Sequence, residues 1–173
     1  MTVRVHGALV EVAGIGVLLT GPSGVGKSEC ALELVARGHR LVADDAVELA
    51  LEAGRPVGRA APAVRDHIEI RGLGILCVPD LYGRGAVSES AEVALVCRLV
   101  SDPGDPDRTG LERAEVPLLG VPVPLVTLAP HPRAGASLAT LVDAAARDAL
   151  RRRAGRDGAR RFDARLRDLT GPV

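Results

Sequence analysis

Lysine is almost missing from this chain: among 173 residues it occurs once, as Lys27, against 21 arginines. Aromatic side chains are nearly as scarce, with only Tyr82 and Phe162 and no tryptophan. That scarcity removes the stacking platforms on which single-stranded nucleic acid is held. The formal net charge is zero, whereas a nucleic-acid binder carries a basic surplus. No nucleic-acid partner is expected. Long apolar runs are missing too; none approaches the ~20 residues that span a bilayer, so no membrane partner is expected either. The opening MTVRVHGALVEV lacks a charged segment followed by an apolar one, which reads as no signal peptide. The three cysteines, Cys30, Cys77 and Cys97, have no metal-type spacing and each sits in an apolar stretch. Buried thiols in a reducing cytoplasm are expected, not disulfides.

What is present organises as one domain with a terminal appendage. Val3 and Val5, then Leu9 to Val12, read as short strands broken by Gly7 and by a turn at Gly14 to Gly16. GVLLT, 16–20, is a continuous apolar run of the kind buried on both faces. A glycine loop follows, then SECALELVARG, where Ala31, Leu34 and Val35 have helical spacing and Gly38 marks the stop. HRLVADDAVELAL resumes strand character, completing a βαβ unit. Residues 52–64 have the Gly, Pro and Arg content of a surface excursion. Strand character returns over 68–83, around a glycine-punctuated turn, and over 91–100; residues 101–110 are a clear loop. The prolines of 116–130 fit edge or end strands. The spacing predicts a helix over 137–153, with Ser137 as N-cap and Leu138, Leu141, Val142 and Ala145 on one face. Between Arg147 and Asp168 stand nine arginines and four aspartates. Two readings fit them: a solvated helix face paired with aspartates, or a docking face for an acidic protein or a neighbouring subunit.

Gly21-Pro22-Ser23-Gly24-Val25-Gly26-Lys27-Ser28 satisfies the phosphate-loop pattern G-x-x-x-x-G-K-[ST]. Its glycines let backbone N–H groups turn inward, and the following helix adds partial positive charge at its N-terminus. Lys27 reaches the β and γ phosphates, and Ser28 ligates Mg²⁺. The lone lysine supports this on physical grounds. Arginine replaces lysine easily on a surface, but its planar head is too wide for a loop wrapped around phosphates. Asp44 and Asp45 close the next strand at the edge where α/β ligands bind. A carboxylate there holds Mg²⁺ or takes the proton of an attacking hydroxyl. Two adjacent acids on a strand project to opposite faces and cannot share one job.

These motifs together resemble the catalytic domain of HPr kinase/phosphorylase. The match is carried by HGALVEV, GPSGVGKSE, RLVADD and EIRGLGI, in family order and spacing, strong from residue 5 to about 83 and traceable to about 147. The resemblance implies an α/β fold: a phosphate-loop (Walker A) kinase core with a mixed β-sheet flanked by helices. Residues 1–150 form the catalytic domain and 151–173 an arginine-rich helical tail. It implies that Asp45 is the general base towards a protein serine, and the acid in the reverse phosphorolysis. Glu69 joins Ser28 on Mg²⁺, and His6 sits near the phosphates as a catalytic group. Arg108 matches a catalytic arginine, though Thr109-Gly110 stands where the family has leucine-glycine.

The chain departs from the family pattern by beginning at the kinase domain, as its short forms do. A second departure is the family's R-P-G-R-N loop, only partly kept as Arg133-Ala-Gly135-Ala-Ser137; Ala136 removes a charge-assisted phosphate contact. The expected function is therefore a Mg-ATP-dependent serine kinase, cytoplasmic, acting on HPr or a related phosphocarrier and forming a hexamer by the resemblance. A small-molecule phosphate-loop kinase, or a nucleotide-binding regulatory module without turnover, stay open alternatives.

Overall fold

The computed structural model describes residues 2–102, 104, 109–130 and 137–170. Its first strands are β1 (Thr2–His6), β2 (Ala8–Val12) and β3 (Ile15–Thr20), followed by helix α1 (Lys27–Ala36) and strand β4 (Arg40–Ala43). Ala13 and Gly14 both take positive φ, 51° and 90°, the conformation of a tight hairpin turn. That hairpin lays β2 antiparallel against β3, and β4 then pairs on the far side of β2. The two strands of the expected βαβ unit are thus parallel, with β2 inserted between them.

Strands β5 (Ala46–Glu52), β6 (Arg55–Ala60) and β9 (Ser90–Leu99) extend the same mixed sheet, in the order β1-β5-β6-β9-β3-β2-β4. The segment expected to be a surface excursion is therefore partly a strand: β6 pairs with both β5 and β9. Pro56 and Gly58 hide it from propensity, and each has a local reason. Pairing of β6 with β9 begins only at Val57, so Pro56 leaves no bond to β9 unmade. A Cβ on Gly58 would stand 2.4 Å from Leu9 Cδ2 and 2.9 Å from Val47 Cγ1, inside contact distance. Strands β10 (Ala114–Leu118) and β11 (Val121–Leu128) complete the sheet, with β11 parallel to β9. Pro122 and Pro124 precede Leu125, where pairing to β9 starts, so the proline-rich run does lie at a sheet end. A separate hairpin, β7 (His67–Ile70) with β8 (Gly74–Cys77), leads into the short helix α2 (Val78–Tyr82).

Alternation along β3 sorts the interior into two cores. Val17 and Leu19 face α1 with Cys30, Ala31, Leu34 and Val35. Leu18 faces the opposite layer with Leu9, Val47 and Leu49. Helix α3 (Leu138–Arg153) covers the first core through Ala139, Val142 and Ala146. Leu138 and Ala145 pack at its margin, so Ala139, Val142 and Ala146 take the deepest positions. Ser137 caps α3, its Oγ accepting the Thr140 N–H at 3.3 Å.

Cys30 and Cys97 are buried free thiols, and Cys77 is half-buried. Burial pushes the Cys30 and Cys97 thiols up to about 12. At pH 8 roughly one such thiol in ten thousand is ionised, and the thiolate is the reactive form. Iodoacetamide on the native protein should therefore add one label, at Cys77, and three after denaturation; mass spectrometry reads the difference.

The arginine-rich end forms helix α4 (Gly158–Thr170). The 150/151 division falls within α3. Arg152 links the two helices by donating to Asp148 at 2.7 Å and Asp157 at 2.8 Å. It also donates to the Gly110 carbonyl at 3.0 Å. Arg147 pairs with Asp143 and Arg167 with Asp163, so arginine–aspartate pairing accounts for much of this charge.

Candidate active site

The phosphate loop leaves β3 and ends at the first turn of α1. Gly21, Gly24 and Gly26 take positive φ of 138°, 80° and 101°, which alternates the chain so that successive N–H groups face one concavity. That concavity is part of a cleft of about 380 Å³ that Lys27, Ser28, Asp44, Asp45, Glu69 and His6 all line. Ser23, Gly24 and Gly26 line it as well, whereas Gly21, Pro22 and Val25 shape the loop from outside the lining. Lys27 is only 7% exposed. Its Nζ donates to the carbonyls of Gly21 at 2.9 Å and Pro22 at 3.0 Å. A compact ammonium fits between these two carbonyls at the loop's entrance; a guanidinium fork does not.

Asp44 is the residue whose role the sequence left unassigned. It is 7% exposed. The Ser28 Oγ donates to its Oδ1 at 2.8 Å, and the Glu69 backbone N–H to its Oδ2 at 3.1 Å. Burial raises its carboxyl above the ordinary aspartate range, against the lowering effect of those two bonds. A strand-end acid beside a phosphate-loop hydroxyl is the usual arrangement for holding Mg²⁺. The signal was present as the first acid after the apolar run RLVA. Glu69 stands on the exposed face of β7 and gives Asp44 its amide, while its side chain lines the cleft.

Asp45 lines the same cleft but stands out in solvent. Its carboxylate is 79% exposed, its φ is 66°, and His6 Nδ1 lies 3.2 Å from Oδ1. His6 Nδ1 donates to the Asp45 carbonyl at 2.9 Å, and the Gly7 N–H donates to the same oxygen at 3.0 Å. A carbonyl only accepts, so the neutral ring carries its proton on Nδ1 and leaves Nε2 as an acceptor. The adjacent acids do serve different surroundings, but through a left-handed bend after β4 and not through strand alternation. Arg108 and residues 133–136 lie outside the described residues.

A second, larger cleft of about 530 Å³ lies between β11, α3 and the start of α4. Its charged residues include Arg113, Asp148, Arg152 and Asp157, which pair with one another. None of the phosphate-loop residues reaches it. The phosphate loop and the acids facing it line the smaller cleft.

A family model, the HPr Serine kinase C-terminal domain, matches residues 1–166. The chain belongs to this family. Within it, the chain is 48% identical over 170 residues to the HPr kinase/phosphorylase of Geobacillus kaustophilus, covering 96% of this chain and 54% of that protein. It is 45% identical over 166 residues to the HPr kinase/phosphorylase of Leptospira biflexa, covering 93% of this chain and 51% of that protein. It spans about half the length of the curated relatives it matches. The solved HPr(Ser) kinase/phosphatase of Coxiella burnetii superposes with a TM-score of 0.82 at 32% identity, covering 92% of this chain and 98% of that one. The expected α/β fold with a mixed sheet flanked by helices is borne out by this likeness and by the strand order. Among the described residues, no helix is long and apolar enough to cross a membrane.

Proposed function

We propose that this domain transfers the γ-phosphoryl group of ATP to a serine of an HPr-like phosphocarrier protein. The observation that carries the reading is the 79% exposed Asp45 carboxylate beside a complete phosphate loop. A serine on a folded protein protrudes by only a few ångströms, so a base that serves it must stand at the surface. A small-molecule kinase places its acceptor in an enclosed pocket, which this arrangement does not offer. In the forward direction the serine oxygen attacks the γ-phosphorus, ADP leaves, and Asp45 takes the hydroxyl proton. In reverse, inorganic phosphate attacks the phosphoserine, Asp45 returns the proton to the serine oxygen, and pyrophosphate leaves.

The donor set fits a hard divalent cation, because Ser28 Oγ and Asp44 Oδ1 are adjacent oxygens. Mg²⁺ commonly takes one or two protein oxygens and completes its shell with phosphates and water. Ser28 and Asp44 would hold it, with Glu69 facing the same cleft. When bound, Mg²⁺ neutralises charge on the phosphate oxygens. Lys27 and the loop amides orient the triphosphate, and His6 holds the backbone from which Asp45 projects. In this reading residues 1–150 carry the catalysis, 151–173 are the helical tail, the protein is cytoplasmic, and the assembly is the hexamer implied by the family.

The test is incubation with γ-labelled Mg-ATP and the phosphocarrier of the same organism. Acid-stable phosphoserine on the carrier is expected, and chelation of the metal should stop its formation. Label on a small metabolite, or on nothing, would overturn the assignment.

A further inference from the structure

On the sheet face turned away from α1, a pocket of about 370 Å³ opens where β1, β3, β9 and β10 meet beside the phosphate loop. It shares no lining residue with either cleft described above. Leu18 and Val96, 0% and 3% exposed, belong to its lining, as do the half-buried Val116 and Leu118. One charge enters this apolar surface. Arg98 alternates with the fully buried Cys97 and Leu99, so its side chain leaves β9 on the same face as Val96. No acid lines the pocket. Arg98 has no ion-pair partner among the described residues, whereas Arg113 and Arg152 of the larger cleft are both paired with Asp148. Thr20, in parallel register with Arg98, is the other polar side chain of the lining.

The geometry points to this pocket as a binding site for a small aliphatic carboxylate, whose occupancy opposes nucleotide binding at the phosphate loop. A lone guanidinium beside apolar walls selects a molecule with one negative end and an apolar body. A carboxylate matches the single positive charge and accepts two parallel N–H bonds from the Arg98 fork, with the Thr20 hydroxyl beside it. A phosphate group carries about two negative charges and needs more donors than this lining has. The volume lies near the lower end for ligand sites, which suits a short chain. The coupling runs through the backbone. Gly21 and Pro22 stand outside the lining of the phosphate-loop cleft but inside that of this pocket. Their carbonyls are the ones that hold Lys27 Nζ, at 2.9 and 3.0 Å. A chain packed against the Gly21–Pro22 peptide fixes it in this orientation, and the lysine with it. Lys27 has to leave those carbonyls to reach the β and γ phosphates, so a filled pocket favours the nucleotide-free loop.

Binding in the pocket does not depend on the phosphoryl-transfer reading, whereas the coupling does, so the two are measured apart. Octanoate is titrated into the nucleotide-free full chain by calorimetry, and ATP is then titrated with and without saturating octanoate. Acetate, which lacks the chain, and octanol, which lacks the charge, are the controls. Octanoate is expected to bind with a Kd of about 1 mM or below, and both controls at least about tenfold more weakly. Arg98→Ala should weaken octanoate by about ten- to a hundredfold, with an unchanged thermal midpoint. Arg98→Glu should lose octanoate and gain octylammonium, because the charge preference is inverted. Saturating octanoate should weaken ATP about fivefold, and ATP should weaken octanoate by the same factor. In Arg98→Ala the same octanoate concentration should leave ATP affinity unmoved. No octanoate binding, or binding that Arg98→Ala leaves unchanged, would overturn the site. Octanoate bound with ATP affinity unchanged would overturn the coupling. A change in the sedimentation of the chain on adding octanoate would mean that a second copy, not a ligand, covers this face. If wild type binds octanoate but no ATP, the nucleotide reading fails and the site stands.

Discussion

Asp45→Asn should lower phosphoryl transfer by about 10³- to 10⁴-fold, the upper range for a general base, with ATP affinity nearly unchanged. The amide is the same size as the carboxylate but does not accept the serine proton. Nothing else in the site needs to move. His6 and Gly7 bind the Asp45 backbone carbonyl, which the substitution keeps, and asparagine tolerates the left-handed φ of 66°. The phosphate loop is held through Lys27, Ser28 and Asp44, so nucleotide binding has no reason to suffer. Single-turnover transfer and an equilibrium ATP titration, run on the same preparation, measure the two quantities. A variant retaining more than about a tenth of the wild-type rate removes Asp45 from the role of base.

Gly21→Ala should abolish nucleotide binding and lower the thermal midpoint. A Cβ at this position would lie 2.2 Å from the Leu99 carbonyl oxygen and 3.2 Å from its carbon, at a φ of +138°. Neither backbone yields easily: Leu99 ends β9 in register with Leu128, and the Val100 N–H donates to the Leu128 carbonyl at 2.9 Å. Strain of about 2 kcal/mol corresponds to a midpoint about 4–8 °C lower for a chain of this size. The Gly21 carbonyl is also an acceptor from Lys27 Nζ, so relief of the clash displaces the lysine. ATP affinity should fall by more than about 10²-fold, as a cradle of aligned amides loses its shape. Gly38→Ala is the control. Its φ is +93°, but nothing lies within 4 Å of the added Cβ. It should cost about 1 kcal/mol of stability and leave ATP binding intact; equal loss of binding in both variants would mean the clash with Leu99 is not the cause.

The phosphate loop was legible in the sequence because each part has one physical reading: glycines where φ is positive, a lysine where arginine does not fit, a hydroxyl at the helix start. The apolar run of β3 and the helical spacing of α1 were legible for the same kind of reason. Strand β6 was not, because the features that admit it, a proline just before its pairing with β9 and a glycine against Leu9 and Val47, are loop features when viewed without neighbours. Asp44 was seen but not assigned. Its partners Ser28 and Glu69 are 16 and 25 residues away, and only the packing of both β4 and β7 against α1 brings them together.

Asp44 and Asp45 are neighbours in sequence, yet in the proposed reaction one serves the nucleotide and the other the acceptor. Asp44 is fastened to α1 and β7 through Ser28 and Glu69, and Asp45 to β1 through His6. In the proposed reaction a single trans peptide, about 3.8 Å between α-carbons, is therefore a ruler between its two halves. It leaves no room for a hinge at this point. Any adjustment to a differently shaped protein partner has to come from outside the ruler, on the surfaces around Asp45, while the spacing across the scissile bond stays constant.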